Sequence, residues 1–482
     1  MRYNLCLILG VAQLCRCYDG DYLIPLFRPA LSPESGVFLS ADEAYNTEVT
    51  PRWSTFKDPS YIAAIKPASE EDVQSIVSIA GSHNISFLAT GGGHGVKLGF
   101  DKVQHAINID LSNLNSIDLN LDNNTVTVGA GVENSQLYDV LSSVGQETAL
   151  TSERCLNTIG PTLGGGLGPQ YGLRGPLIDS LVSAHLVTAS GDIVDVSESE
   201  NSDLFWAIRG AGANFGIVTS ATYRIYPPIN NGEAVLARFS FSPVANRSVF
   251  ELMEYMNEDY PPEMAGGIAV GYNHTSGQPT LAWQLLFSGP LETAQPWLDK
   301  LTSLGPIDAD LQTVHWHGRD QPESPFCTRK QQWVIYNLNL ARTDSATLGS
   351  YFEQAADFAA SNPWFDCTLM FERLPRDAAL AVPERQRGVW PWRDSKLNVN
   401  FVVKTPSSAY DGAVDGFLRP VREEFQESMG YDTVHAYVNE ALGDEGPAAW
   451  YGEHNLARLS ELKRRWDPNS QFGAGAPIPL HL

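Results

Sequence analysis

The sequence predicts an α+β protein in which one unit is interrupted by another. Three observations carry this expectation. Residues 52–228 alternate short strand and helix patterns around two glycine-rich turns. Residues 229–430 are rich in alternating segments that suit an antiparallel sheet with covering helices. Residues 431–482 return to a helix and an apolar tail. The chain has 482 residues, 43% hydrophobic and 10% aromatic, which is ample for more than one core.

Taken in order, residues 1–17 read as a secretory signal peptide. Arg2 gives a short positive start, and residues 5–14 are apolar but too short to span a bilayer. Residues 18–50, rich in Pro, Ser and Asp, read as an irregular lead-in. Residues 62–67 are a short strand. Ser69-Glu-Glu-Asp72 is a capping signature for a helix that buries Val73, Ile76, Val77 and Ala80. The apolar run 85–89 is a strand feeding the turn Thr90-Gly91-Gly92-Gly93-His94-Gly95-Val96. Strands follow at 106–111 and 126–130, and an amphipathic helix at 132–144. Gly164-Gly-Gly166 with Gly168 forms the second glycine loop. Ser190-Gly191-Asp192 joins two strands as a hairpin. A helix at 204–208 and strands to residue 226 lead to the boundary Pro227-Pro228.

Beyond that boundary, 233–241, 266–272, 281–287 and 397–404 read as strands, and 250–256 and 351–360 as helices. Trp316, Trp333, Trp390 and Trp392 fall in this part. Such aromatics suit the walls of a pocket for a flat organic molecule, and equally the filling of a core. Residues 456–466 form the final helix.

Lys and Arg total 32 against 56 Asp and Glu, a formal net charge of −24. So acidic a chain repels nucleic acid and anionic membrane, and neither is an expected partner. No later segment is apolar over the roughly 18 residues of a membrane span. Sequons at Asn84, Asn123, Asn246 and Asn273 suit glycosylation, which with the leader predicts a secreted protein. Of the cysteines, Cys6, Cys15 and Cys17 lie in or beside the leader. Cys327 and Cys367 are a candidate disulfide, with two buried thiols as the alternative. No Cys or His cluster has zinc spacing, so no metal is expected.

The first glycine turn carries the chemistry. Glycines let a backbone turn present bare N–H groups to a pyrophosphate. One imidazole, His94, projects from the same turn beside whatever it holds. A strand, a glycine turn and a nucleophilic ring nitrogen suit a dinucleotide cofactor that can be bound covalently. No Gly-x-Gly-x-x-Gly with a following acidic residue supports a nicotinamide enzyme, and no Gly-x-Ser-x-Gly elbow supports a serine hydrolase.

The wider pattern adds Pro67-Ala-Ser-Glu-Glu-Asp-Val73, Asn108-Ile-Asp-Leu-Ser-Asn-Leu114 and Gly160-Pro-Thr-Leu-Gly-Gly-Gly-Leu-Gly168. Asp203-Leu-Phe-Trp-Ala-Ile-Arg-Gly210 and Asn214-Phe-Gly-Ile-Val-Thr219 follow. This order resembles the FAD-binding domain of the vanillyl-alcohol oxidase (p-cresol methylhydroxylase-type) superfamily. Trp450-Tyr-Gly-Glu-His-Asn-Leu-Ala-Arg-Leu459 with Trp466-Asp-Pro468 resembles the C-terminal signature of its berberine bridge enzyme-like members. The resemblance covers about residues 52–228 and 431–475. It implies a two-part FAD-binding domain (52–228 and 431–482) with an inserted α/β substrate domain (229–430) built on an antiparallel sheet.

The resemblance further implies FAD bonded covalently through its 8α-methyl carbon to His94. Gly91, Gly92, Gly93 and Gly95 would face the pyrophosphate. Gly160, Gly164 and Gly165 would lie near the ring or ribityl chain, Ile217 near the adenine, and Asn455 near the isoalloxazine. Relatives often carry a second link from a cysteine. Here Glu153 stands at that place, Cys155 is the alternative donor, and a single link is expected. Gln170-Tyr171-Gly172 replaces a family Lys-Tyr-Gly, which makes Tyr171 the candidate base if a cation lowers its pKa. Asn398 and Asn400 stand where relatives carry Lys and Gln, and Arg387 near a family glutamate.

The implied activity is that of a secreted oxidase. A hydride passes from a small organic substrate, a secondary-metabolite intermediate, to flavin N5, and oxygen reoxidises the flavin to give hydrogen peroxide. The alternatives are a flavin-containing oxidative cyclase whose pocket also guides a ring closure, a carbohydrate oxidase, and a flavin carrier without turnover. Partners are the substrate and oxygen; the sequence leaves the oligomeric state open.

Overall fold

Three sheets organise the computed structural model, which describes residues 20–258, 260–315 and 324–482. The expected leader and Trp316 lie outside the described residues. The first sheet runs in the order Gly36–Leu39, Tyr61–Lys66, Ala106–Asp110, Phe87–Thr90. Its first pair is antiparallel and the other two are parallel. Parallel neighbours need a crossover, supplied by the helix Glu70–His83. Ser69 and Asp72 close a capping box at its start, and Asn84 at φ 53° ends it in the left-handed region.

The second sheet is five-stranded and antiparallel, in the order Ile117–Asn120, Thr125–Gly129, Ile217–Arg224, Leu181–Val187, Ile193–Ser197. Both sheets bury their apolar residues in one core, and that core is incomplete without the end of the chain. Leu456, Leu459, Leu462, Ala476 and Ile478 enter it beside Val73, Ile107 and Val126.

The third sheet has seven antiparallel strands. Their order is Asp308–His315, Glu233–Phe241, Gln278–Phe287, Met264–Asn273, Asp366–Arg373, Leu397–Thr405, Gln332–Leu340. Alternation divides it into two unlike faces. Leu338, Phe371, Val399 and Phe401 join a second core with Phe250, Tyr351 and Phe425 from helices Asn246–Tyr255, Ser345–Ser361 and Asp411–Met429. The other face carries Asn337, Asn339, Glu372, Asn398 and Asn400. This polar face belongs to the site described below.

The lead-in differs from the irregular segment expected at 18–50. It forms the helix Gly20–Phe27, the strand Gly36–Leu39 and the helix Glu43–Glu48. Leu23, Phe27 and Leu31 are spaced one turn apart and enter the first core despite the proline content. The lead-in is tied down by the buried Asp72 carboxylate. It accepts from Ser32 N and Ser32 Oγ at 2.7 Å each, Ser35 Oγ at 2.8 Å and Ala68 N at 3.0 Å. The strands Gln332–Leu340 and Asp366–Arg373 and the helix Asp411–Met429 also went unread in the sequence. In the helix, Gly412, Gly416 and Pro420 interrupt the apolar periodicity.

Replacing Asp72 with Ala strands several buried donors and is expected to cost about 2–4 kcal/mol. Chemical denaturation measures this, and an unchanged midpoint would show that the lead-in is held by apolar contact alone.

Candidate active site

The strand Phe87–Thr90 ends in the first glycine loop. Among the described residues, none accepts a hydrogen bond from the backbone N–H groups of residues 91–97. The glycines are required by close approach. A Cβ on Gly91 or Gly92 would sit 3.0 Å from Asn157 side-chain atoms, and Gly93 turns at φ 70° with Pro51 O 2.9 Å from its missing Cβ. Asn157 joins the two glycine loops. Its amide donates to Ala130 O at 2.6 Å and Val132 O at 2.9 Å, and its Oδ1 accepts from Gly160 N at 3.0 Å.

His94 is half-buried in this loop. Its Nδ1 lies 3.0 Å from Gly92 O and is therefore the protonated nitrogen; Nε2 is buried with no partner. Burial, followed by the Arg329 cation, lowers its pKa from the ordinary 6.5 to about 4. The ring is neutral at pH 7 with a free lone pair. Trp53 stacks on it at 6.1 Å and on Trp333 at 5.5 Å. Arg329 donates to Gly92 O at 2.6 Å and to Pro51 O at 2.9 Å, which braces the loop from the inserted unit.

The second glycine loop is clamped by the chain's C-terminal part. Cβ atoms on Gly164 and Gly165 would strike Asn439 and approach Tyr437 and Trp390. Tyr437 OH accepts from Gly166 N at 2.9 Å and Leu167 N at 3.2 Å. Asn439 donates to Pro161 O at 2.8 Å. Gly160 is exposed, at the edge of the space between the loops. Ile217 is buried in the first core at the head of its strand. Asn455 donates to Val389 O at 3.0 Å and Tyr451 O at 2.8 Å, holding the segment that carries Trp390.

Three readings are corrected. Tyr171 is buried edge-on against Trp390 at 5.9 Å, and burial drives its phenol above the ordinary value despite Arg393 nearby. A base needs the opposite shift, so Tyr171 is a packed aromatic. Cys155 is neither a free thiol nor available for a second flavin link, because it is disulfide-bonded to Cys327 across 172 residues. The expected Cys327–Cys367 bond is absent, and Cys367 is a buried thiol beside Tyr351. Glu153 lies with the two bonded sulfurs, which are no longer thiolates to hold a metal.

The polar face of the seven-stranded sheet supplies groups the sequence did not reveal. Glu440 Oε2 accepts from Asn400 Nδ2 at 2.7 Å, Asn398 Nδ2 at 2.8 Å and Asn337 Nδ2 at 3.4 Å. Asn337 Oδ1 accepts from Tyr437 N at 2.7 Å, which holds residues 437–440 against the sheet. Glu372, in register with Asn398, is raised to about 7 by burial and then by the Glu440 charge. Burial also raises Glu440 and Glu153. All three nevertheless keep some accessible surface. Desolvated yet accessible carboxyls mark the wall of an enclosed cleft. The period-two pairs Asn337/Asn339 and Asn398/Asn400, polar positions in otherwise apolar strands, were the available signal. Arg387 only braces its own loop through Val382 O at 2.8 Å.

Residues 61–197 match the FAD binding domain family, and residues 436–479 match the berberine and berberine like family. The FAD-linked oxidoreductase fmqD of Aspergillus fumigatus is 65% identical over 468 residues, covering 96% of this chain and 94% of the relative. The chain belongs to the berberine bridge enzyme-like FAD-linked oxidoreductases. The FAD-linked oxidoreductase tazL of Aspergillus terreus is 42% identical, with 94% and 93% of the two chains covered. Among solved structures, Physcomitrella patens BBE-like 1 superposes with a TM-score of 0.82 at 17% identity, over 95% of this chain and 99% of the other. A glucooligosaccharide oxidase from Acremonium strictum gives 0.80 at 18% identity, over 94% and 97%. These two share the fold.

The protein is an FAD-dependent oxidoreductase, and its residues fit the cofactor. The unpaired amides of 91–97 suit a pyrophosphate. Gly91 to Gly93 leave no Cβ in the way, and the orphaned His94 Nε2 awaits a partner.

Peptide mapping without reduction is expected to recover residues 155 and 327 in one linked pair and to alkylate Cys367 only after unfolding. A Cys327–Cys367 peptide would overturn the pairing.

Proposed function

We propose that the protein is a secreted oxidase that removes two electrons from a small organic metabolite and delivers them to oxygen, releasing hydrogen peroxide. FAD, when bound, supplies the two-electron chemistry. The observation that carries the reading is His94, a neutral imidazole with a free lone pair in a loop of unpaired amides. Such a ring is a competent nucleophile toward the flavin 8α carbon, so His94 is assigned the single covalent link. Trp53 and Arg329 fix the ring and the loop around it, and Arg52, over the Phe100 ring, adds a second cation near the expected pyrophosphate.

Residues 52–228 with 431–482 act as the cofactor unit and 229–430 as the substrate unit. The carboxyl-lined cleft disfavours anionic substrates and suits an uncharged or hydrogen-donating metabolite. Among the described residues, no helix is long and apolar enough to cross a membrane. Secretion rests on the leader and on the sequons. Asn84, Asn123 and Asn273 are exposed and Asn246 is half-buried at a helix start. Expression in a fungal host should place the protein in the medium, with a mass loss on deglycosylation. Full retention in the cell would refute this part.

Acid-precipitated protein is expected to stay yellow, with flavin mapped to the His94 peptide, and His94→Ala should release its flavin on precipitation. The lowered pKa sets the pH dependence. Because the ring gains its proton only near pH 4, attachment of FAD to apoprotein should be flat above about pH 5 and fall below about pH 4. Flavin recovered entirely free from wild-type protein would overturn the link. Oxygen uptake that catalase partly reverses, across a panel of uncharged fungal metabolites, tests the oxidase reading.

A further inference from the structure

Glu440 is placed by hydrogen bonds that leave half of it unused. All three amide donors converge on Oε2, so Oε1 is left for another donor. An amide cradle of this kind favours the ionised carboxylate. Across Asn398 stands Glu372, whose carboxyl the same amide also reaches. Among the described residues no cation balances either group, although both are desolvated. Two carboxylates so placed resist being charged together, and they titrate as a pair. An independent sign of an absent partner lies on the same face. Asn339 Oδ1, two residues from Asn337 on its strand, is fully buried and unbonded.

We propose that Glu440 is the group in the cleft that accepts a proton from the O–H or N–H of the substrate, with Glu372 the positioning residue that opposes it across Asn398. The proposal rests on the oxidase reading and deepens it. The substrate's O–H or N–H proton passes to the Glu440 carboxylate. FAD, when bound, would take the C–H hydrogen with its electron pair, so that the substrate is oxidised by two electrons and the cofactor reduced by two. Among the described residues, the other ionisable groups facing the pair are Glu153, toward Glu372, and the Tyr437 phenol, toward Glu440. Glu372 keeps its proton to about pH 7, so near neutrality the pair holds about one.

The test uses the holoenzyme and phenol, an uncharged O–H donor that reports through the flavin absorbance. Wild-type protein should bind phenol more weakly as pH falls and Glu440 is protonated. E440Q should weaken phenol binding by roughly tenfold or more at pH 7, as loss of a hydrogen bond to a charged acceptor does. E372Q should retain phenol binding and the acid-side midpoint of wild type, because Glu372 already carries its proton where Glu440 titrates. Infrared pH-difference spectra should show a carboxylic-acid band titrating near pH 7 in wild type and missing in E372Q. If E440Q does not fold, the loss of phenol affinity with acid in the wild-type and E372Q proteins decides, and an affinity independent of pH overturns the proposal. A yellow E440Q protein whose phenol affinity and pH dependence match wild type overturns the proposal. A colourless protein overturns the flavin reading itself, which separates the two failures.

Discussion

The segment 437–440 is the joint on which the site depends. Tyr437 gives its backbone N–H to Asn337 on the inserted sheet and receives two backbone N–H groups of the second glycine loop on its phenol oxygen. Asn439 bonds that same loop, and Glu440 gathers the sheet's asparagine amides. Four consecutive residues therefore fix a loop from the first half of the chain against strands from its second half. Hydrogen bonds to a charged, desolvated acceptor are each worth about 1.5–3 kcal/mol, and their loss would leave buried amides unpaired. The cost of separating the units is concentrated at the place where their chemistry meets.

The other glycine loop is fixed by the same logic with different chemistry. The Cys155–Cys327 disulfide, the Arg329 guanidinium and the Trp53–Trp333 stack all reach across from residues 327–333 to the surroundings of His94. The first loop is held directly by residues of the inserted unit, and the second by Tyr437 and Asn439 of its own unit, which are in turn bonded to the inserted sheet through Asn337. Such bracing suits a site that must hold a flat cofactor and a substrate at fixed separation, where small displacements weaken catalysis strongly.

The cofactor unit was legible because its signals are local. A capping box at Ser69 and Asp72, an alternating strand at 125–129 and a triple glycine before His94 each specify their own backbone. The inserted unit was legible only as a sheet. Its strand Gln332–Leu340 is buried on both faces, which removes the alternation that marks a strand with one solvated side. The disulfide and the carboxyl pair were not legible. Cys155 and Cys327, or Glu372 and Glu440, become neighbours only through the topology of two sheets. Tyr171 misled because its motif has a meaning in relatives that depends on a lysine missing here; in its place, burial against Trp390 decides its chemistry.

The core shared by the first two sheets admits Leu456, Leu459, Ala476 and Ile478, far along the chain from the strands they cover. A nascent chain halted before residue 450 would expose the apolar wall those side chains cover, and no nearer segment substitutes for them. The core therefore closes only once residues 456–478 are in place, and a chain truncated between residues 450 and 478 would be aggregation-prone rather than a weakened enzyme.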